Sequence, residues 1–219
     1  MMNPLNVLSQ HKFCINLKRR TDRWKNAHQE FAKIELQNVE RFEAYDGKTL
    51  NREELSKYDL KPGEVGAILS HRFVLEYAME LKCPNYTVFE DDIAFHPDFK
   101  NIFLSFMQHV PADWQMIYLG ANHCNGYWQI SENVLQMKGS RTIHGVIVRN
   151  TVFEPLLQAF NRFKNLPADD IFLILHQFKK SYCVYPHIGY QSDNYSDICE
   201  STVDYSFLRQ PDPNKKISF

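Results

Sequence analysis

The sequence predicts an α/β domain with a mostly parallel central sheet flanked by helices, and three observations carry that prediction. Short apolar runs alternate with stretches of helical period along most of the 219 residues, the pattern of strand–helix units. The length suffices for one core of ordinary size, read as a single domain over 1–209 with a flexible tail at 210–219. With 44% hydrophobic and 23% charged residues the composition is that of a globular protein.

Phe13-Cys14-Ile15-Asn16-Leu17 is a short apolar run ending in Lys18-Arg19-Arg20, and predicts the first strand. Thr21 and Asp22 predict a helix start, because short side-chain acceptors satisfy free amide donors; the helix runs to about Leu36. Val39 to Tyr45 predicts a second strand, closed by the turn pair Asp46-Gly47. Asn51 to Glu54 has capping-box spacing for a short helix. Pro62 suits the first turn of a long helix from Gly63 to about Lys82, and Val65, Ile68, Leu69, Leu75 and Ala78 recur near helical period on one buried face.

Tyr86 to Phe89 predicts a strong strand that runs straight into Glu90-Asp91-Asp92. A helix near Asp98–His109, a strand at Gln115–Leu119, weaker strands between Tyr127 and Leu135, and a strand at Ile143–Val148 follow. Helices at Phe153–Phe163 and Asp169–Phe178 and a strand at Ser181–Tyr185 complete the pattern. From Gln210 the chain is polar and proline-bearing and reads as a frayed terminus.

Several classes are excluded. The 25 basic and 26 acidic residues leave a net charge of −1, without the basic excess a general nucleic-acid binder needs to neutralise phosphates. The longest apolar stretches, such as Ile171–Leu175, fall far short of the ~20 residues a bilayer core demands. Met1 to Gln10 shows no basic cluster followed by an apolar run, so no secretory signal is expected. The five cysteines (Cys14, Cys83, Cys124, Cys183, Cys199) are scattered without a C-x-x-C pair. They predict neither a disulfide framework nor a structural zinc site, and a cytoplasmic, reducing location is the expectation. Most of the aromatic residues, 14% of the chain, are expected in the core.

Among residues that carry chemistry, Glu90-Asp91-Asp92 is the most informative. In an extended chain Glu90 and Asp92 project to the same side, and carboxylates converging at a strand end repel unless a cation, a proton or a basic partner intervenes. A hard divalent ion is one occupant; a solvated acidic loop is the alternative that spacing alone leaves open. Asp169 and Asp170 open a helix after Pro167, where acids complement the dipole. That role accounts for one of them and leaves the other spare, able to act as a general base if it faces the first cluster; on spacing alone the helix-start role is the favoured reading of the pair. His187 follows the last strand, and Lys18, Arg19, Arg20 and Arg23 form a basic group able to meet phosphate or solvent. His71 reads as a satisfied core histidine, and His123-Cys124 lacks a second soft-ligand pair nearby in sequence. No glycine-rich phosphate loop is present.

A set of segments falls in one order along the chain: Ile15 to Trp24, Ala44-Tyr45-Asp46-Gly47, Gly63 to His71, Phe89 to Asp92, Trp114 with Tyr118-Leu119-Gly120, Pro167-Ala168-Asp169, and Ser196-Asp197. Together they resemble glycosyltransferase family 25, which includes bacterial lipooligosaccharide galactosyltransferases and the collagen hydroxylysine galactosyltransferases. The resemblance implies a GT-A-type nucleotide-sugar-binding fold and a metal-dependent inverting transfer of a hexose, galactose or glucose, from a UDP-sugar to a hydroxyl of a saccharide or protein acceptor. It implies Mn²⁺ or Mg²⁺ held by Asp92 and Glu90 with His187 as a third ligand, and Asp169 as base with Asp170 in reserve. Donor-binding roles follow for Asn16, Arg19, Arg20, Arg23, Asp46, Ser70, Glu90 and Asp91. Association with a membrane acceptor would be peripheral.

One departure stands out: where relatives carry Gly-Thr-x-x-Tyr, this chain has Arg141-Thr142-Ile143-His144-Gly145, without the final aromatic. That gap motivates the alternative of a catalytically inactive glycan- or nucleotide-binding module. A sugar-nucleotide-forming nucleotidyltransferase ranks last, because Lys18 to Trp24 contains no glycine.

Overall fold

A computed structural model describes residues 8, 11–178, 180–192, 194–198 and 201–217; Cys199 and the end of the chain at 218–219 lie outside them. The elements in chain order are β1 (Lys12–Asn16), α1 (Thr21–Lys33), β2 (Val39–Glu43), α2 (Arg52–Leu55), α3 (Pro62–Glu80), β3 (Asn85–Glu90), β4 (Ile93–Phe95), α4 (Phe99–His109) and β5 (Met116–Tyr118). They continue with β6 (Tyr127–Ser131), β7 (Val134–Met137), β8 (Gly145–Arg149), α5 (Phe153–Arg162), α6 (Ala168–His176), β9 (Ser181–Val184), β10 (Gly189–Gln191), β11 (Asn194–Ser196) and β12 (Ser201–Val203).

Eight strands form one sheet in the order β2-β1-β3-β8-β5-β9-β7-β6. β1 pairs parallel to both β2 and β3, and β5 parallel to β9, while β8 and β7 run against their neighbours. Six strands therefore share one direction and two oppose it, so the α/β prediction of a mostly parallel sheet holds with β8 inserted antiparallel at its centre. The hydrophobic run of β8, buried on both faces, carries no mark of its direction.

Period-two alternation splits the strands between two cores. Phe13 and Ile15 face α3, α5 and α6 with Ile68, Leu156 and Phe172; Cys14 faces α1 and α4 with Phe31 and Phe103. On that second face the rings of Phe31, Phe89, Phe95, Phe99, Phe103 and Phe106 follow one another at centroid distances of 5.1, 5.9, 5.3, 5.8 and 6.2 Å, a range in which aromatic contacts are favourable. The high aromatic content is thus largely core, as expected.

Local chemistry fixes the helix starts. Asn51 Oδ1 accepts from Glu54 N and Glu54 Oε2 from Asn51 N, both at 2.9 Å, the capping box the spacing predicts. Pro62 begins α3, with Lys61 N donating to Glu64 Oε2 at 2.9 Å. At α1 the expected Thr21 cap is absent: Arg20 holds the N-cap position without a side-chain bond, and Asp22 pairs with Arg20 instead. The helix ends at Lys33 rather than near Leu36, where Glu35 turns to φ 55°.

Two glycines let the turn after β2 sit directly on α3. A Cβ on Gly47 would lie 1.7 Å from the Pro62 carbonyl oxygen, and one on Gly66 2.5 Å from that of Tyr45. Gly47→Ala is expected to lower unfolding stability by about 1–3 kcal/mol, read as a lower urea midpoint. An unchanged midpoint would mean that the turn is not pinned there. Near the C-terminus, Lys216 bridges to Tyr127 and Ile217 N donates to the Tyr127 carbonyl at 2.8 Å. Within the stretch read as frayed, Lys216 and Ile217 thus lie beside the start of β6.

Candidate active site

The carboxyl ends of β1 and β3 open into a cleft of about 1050 Å³, walled by the 44–50 turn, the first half of α3, the start of α6, and Gln191 with Asp197. Ligands of open α/β sheets sit at such strand ends.

The acidic triplet lies on the cleft floor. Glu90 closes β3, and Asp91 and Asp92 turn the chain into β4, which pairs antiparallel with β10 so that Gln191 stands opposite Ile93. The Gln191 amide Nε2 lies 3.4 Å from Glu90 Oε2 and 3.3 Å from Asp92 Oδ2, so Glu90 and Asp92 share one side as expected, although the chain turns there rather than continuing extended. Asp91 turns away and accepts from Asn16 Nδ2 at 2.5 Å, while Arg41 donates to Asn16 Oδ1. Arg23 Nη2 sits 2.9 Å from both Asp91 and Asp92. Its single charge faces two acids there and a third in Glu90. Burial, then the neighbouring Asp92 and Asp91, pushes Glu90 well above the carboxylate range; burial also raises Asp91 to about 6, against the pull of Arg23. Asp92 is raised by the same burial, and its Oδ1 is buried without a hydrogen-bond partner. His71 Nε2 approaches Glu90 Oε1 at 3.3 Å, but burial holds that imidazole down at about 4, so it stays neutral. The histidine read as core is core, and it also touches the site.

Asp169 and Asp170 part ways. Asp170 receives Arg141 Nε at 2.8 Å in a partly exposed pair, the bland role. Asp169 faces the cleft, where Oδ2 accepts from Thr142 N at 3.1 Å. Thr142 adopts φ 73°, a left-handed conformation costly for a β-branched residue, and this turn aims its N–H at the carboxylate. Burial first and Glu90 second raise Asp169 to about 7.

The sign of that shift makes a prediction. An unfolded Asp ionises near ~4, so between roughly pH 4 and 7 the folded chain holds a proton that the unfolded chain has lost, and this contribution to stability declines as pH climbs. Buried neutral histidines such as His71, His144 and His176, lowered to about 4, 4 and 3, act oppositely, losing stability as pH falls. The difference between Asp169→Asn and the parent isolates the acid: in chelator, the variant's relative Tm is expected to rise from pH 4.5 to pH 8. A pH-independent difference would show that Asp169 ionises normally.

The basic group is already engaged. Arg19 bridges Asp46 at 2.8 Å and Asp197 at 2.9 Å; Arg20 pairs with Asp22 at 2.9 Å and closely with Asp197. Asp197 also lies 3.6 Å from Arg23. Arg19 and Arg23 line the cleft with Asp46 and Asp197. Ser70 reaches the cleft wall, but its Oγ latches the turn to α3, accepting from Tyr45 N at 2.9 Å and donating to the Gly66 carbonyl at 2.7 Å.

His187 is not brought to the acids. It is fully buried outside the cleft, its Nδ1 donating to the Leu208 carbonyl at 2.6 Å, because the chain needs four more residues to reach the cleft. Gln191, not His187, is the residue of this segment that stands beside Glu90 and Asp92. Gly145 is likewise remote: a Cβ there would meet Leu119 at 3.2 Å and Ile93 at 3.4 Å, in the core under β8. An aromatic at that position would not line the cleft, which removes the motive for an inactive module. Gln191, Thr142 and Asp197 carry weight at this site that sequence reasoning gave them no role for. Asp197 stood in the Ser196-Asp197 segment as its one hint; Gln191 had none.

Strands that alternate with helices, and converging acids and arginines at the strand ends, define an α/β domain with a charged cleft at one edge of its sheet. Residues 9–166 match the model of glycosyltransferase family 25 (LPS biosynthesis protein), and the chain belongs to that family. It is 32% identical over 139 residues to a putative glycosyltransferase, R655, of Acanthamoeba polyphaga mimivirus, covering 59% of this chain and 43% of that one. Procollagen galactosyltransferase 2 of Homo sapiens is 27% identical over 191 residues, 75% of this chain and 30% of its own. This chain thus spans less than half the length of either relative. Among solved structures, a glycosyltransferase involved in the glycosylation of the major capsid of PBCV-1 matches over 69% of this chain and 64% of its own, at 12% identity and a TM-score of 0.40. Among the described residues no helix is long and apolar enough to cross a membrane.

Proposed function

We propose that this chain is a metal-dependent inverting hexosyltransferase, moving a hexose from a UDP-sugar to a hydroxyl of a saccharide or protein acceptor. Membership of the family supports glycosyl transfer, and the name of the human relative makes galactose the first donor to try. The observation that carries the reading is the buried, unpartnered Asp92 Oδ1, with Glu90 and Asp91 beside it and Arg23 paired with both aspartates. Such an oxygen-rich set fits a hard cation. Asp92 and Glu90 would hold it, with Asp91 oriented by Asn16 and Arg23. When bound, the ion offsets the charge that develops on the departing diphosphate.

The chain's own groups do the rest. Arg19, on the cleft wall between Asp46 and Asp197, is a cation that a phosphate would draw from those acids. Asp169 takes the proton of the acceptor hydroxyl on Oδ1, the oxygen left free by the Thr142 N–H, as the hydroxyl oxygen bonds the anomeric carbon and that carbon's bond to UDP breaks. A raised carboxylate near 7 is suited to that exchange at neutral pH. The cleft volume, at the upper end of the ~300–1,000 Å³ of ordinary ligand sites, leaves room for a sugar nucleotide and the end of an acceptor.

A panel of UDP-hexoses with Mn²⁺, scored for UDP release with and without acceptor saccharides, tests this. Release from one UDP-hexose that stops on chelation is expected. Silence across the panel by a folded, metal-loaded chain would put the alternative, an inactive binding module, ahead of the transferase.

A further inference from the structure

We infer that His123, Cys183 and His187 form a second metal site, separate from the cleft and suited to zinc. Their ligand atoms all lie within 4.8 Å of one another, and the residues are 2%, 0% and 0% exposed. They come from three places: the loop after β5, strand β9, and the loop between β9 and β10. The sequence gives no hint of this, because the soft ligands stand some sixty residues apart and only the β5–β9 pairing joins them.

The geometry favours an ion over a plain hydrogen-bond chain. The two Nε2 atoms face each other at 3.3 Å. That is longer than the ~2.7–3.2 Å of ordinary protein hydrogen bonds to nitrogen donors. Two Zn–N bonds of ~2.0–2.1 Å at a tetrahedral angle place their nitrogens roughly 3.3–3.4 Å apart. Both opposite ring nitrogens are anchored: His187 Nδ1 donates to the Leu208 carbonyl at 2.6 Å, and His123 Nδ1 lies 2.9 Å from Ser140 Oγ. Metal-bound histidines are typically oriented in this way by their second nitrogen. A hydrogen-bond chain running from Ser140 through both imidazoles to Leu208 would satisfy the nitrogens; the Cys183 thiol donates to its neighbouring Val184 carbonyl at 3.5 Å and stands outside that chain, although its sulfur lies within 4.8 Å of a ring nitrogen of each histidine. Thiolate plus two imidazoles is a soft set that takes zinc in preference to the manganese or magnesium an all-oxygen set prefers, so the two sites would not compete. The ion would tie β9 to the loop that leads into β10, and so help set where Gln191 stands in the cleft.

The test uses the untagged full chain, stripped with chelator and titrated with Co²⁺ and then Zn²⁺. One equivalent of cobalt is expected to give a thiolate charge-transfer band that zinc bleaches. The band should vanish in Cys183→Ala and persist in Cys124→Ala and in Asp92→Asn. Zinc at about a hundredfold excess over its Kd should raise the parent's Tm by roughly 5–10 °C. Should Cys183→Ala not fold, His123→Gln read by the same titration serves in its place, with the band lost. No thiolate band in the folded parent, a band surviving Cys183→Ala, or a band that follows Cys124 would each overturn the assignment.

Discussion

Asp169→Asn is expected to lower hexose transfer by about 10²–10⁴-fold, the usual contribution of a positioned general base, while leaving UDP affinity within about twofold. The substitution is close to isosteric, and an amide oxygen can keep the bond from the Thr142 N–H, so the loss would be one of proton acceptance rather than of shape. Asp169 is coupled to Glu90 by charge and is held by the Thr142 N–H rather than by the acids at the end of β3, which is why donor binding should be spared. Its neighbour supplies the control. Asp170 spends its carboxylate on Arg141 at a partly exposed position, and pairs of that kind contribute little; Asp170→Asn should change the rate by less than about tenfold. Initial rates with the preferred donor and calorimetry with UDP separate the two effects. Transfer by Asp169→Asn at the parental rate would remove it from the mechanism.

Asp92→Asn should weaken Mn²⁺-linked UDP binding by at least about a hundredfold, since the oxygen lost is the one without a protein partner and loss of ligand or supporting groups at metal sites typically costs ~10–100-fold or more. Folding should not suffer. The variant removes one of three acids paired with Arg23, and Arg23 still holds Asp91 and Asp197, so in chelator its Tm is expected to equal or exceed the parent's. Calorimetry of UDP binding with and without Mn²⁺, beside a melting curve, reads both. Metal-linked affinity that persists in the variant would falsify the placement of the cation.

Much of this was legible in the residues. The run Tyr86–Phe89 ending in three acids had to present them at a strand end, and the capping box at Asn51 and Pro62 at the start of α3 set those helices from local chemistry alone. What escaped was decided by pairing between distant segments. A three-residue strand such as β4 or β10 is too short for periodicity to register, yet that pair brings Gln191 to the acids and leaves His187 behind. Strand direction is likewise silent in a doubly buried run, so β8 could not be told from a parallel strand. Arg19, Arg20 and Arg23 were visible as charges, but their partner Asp197 arrives from the far end of the chain.

The backbone N–H that steadies Asp169 belongs to the main chain at Thr142, not to its side chain. Replacing that threonine with alanine or serine would leave the bond standing, so a scan that trims one side chain after another would score the position as dispensable. Only proline deletes the donor outright, and its ring cannot follow a φ of 73°. The orientation of the base is in this way shielded from most single-residue change, and a catalogue of damaging substitutions would miss the group that provides it.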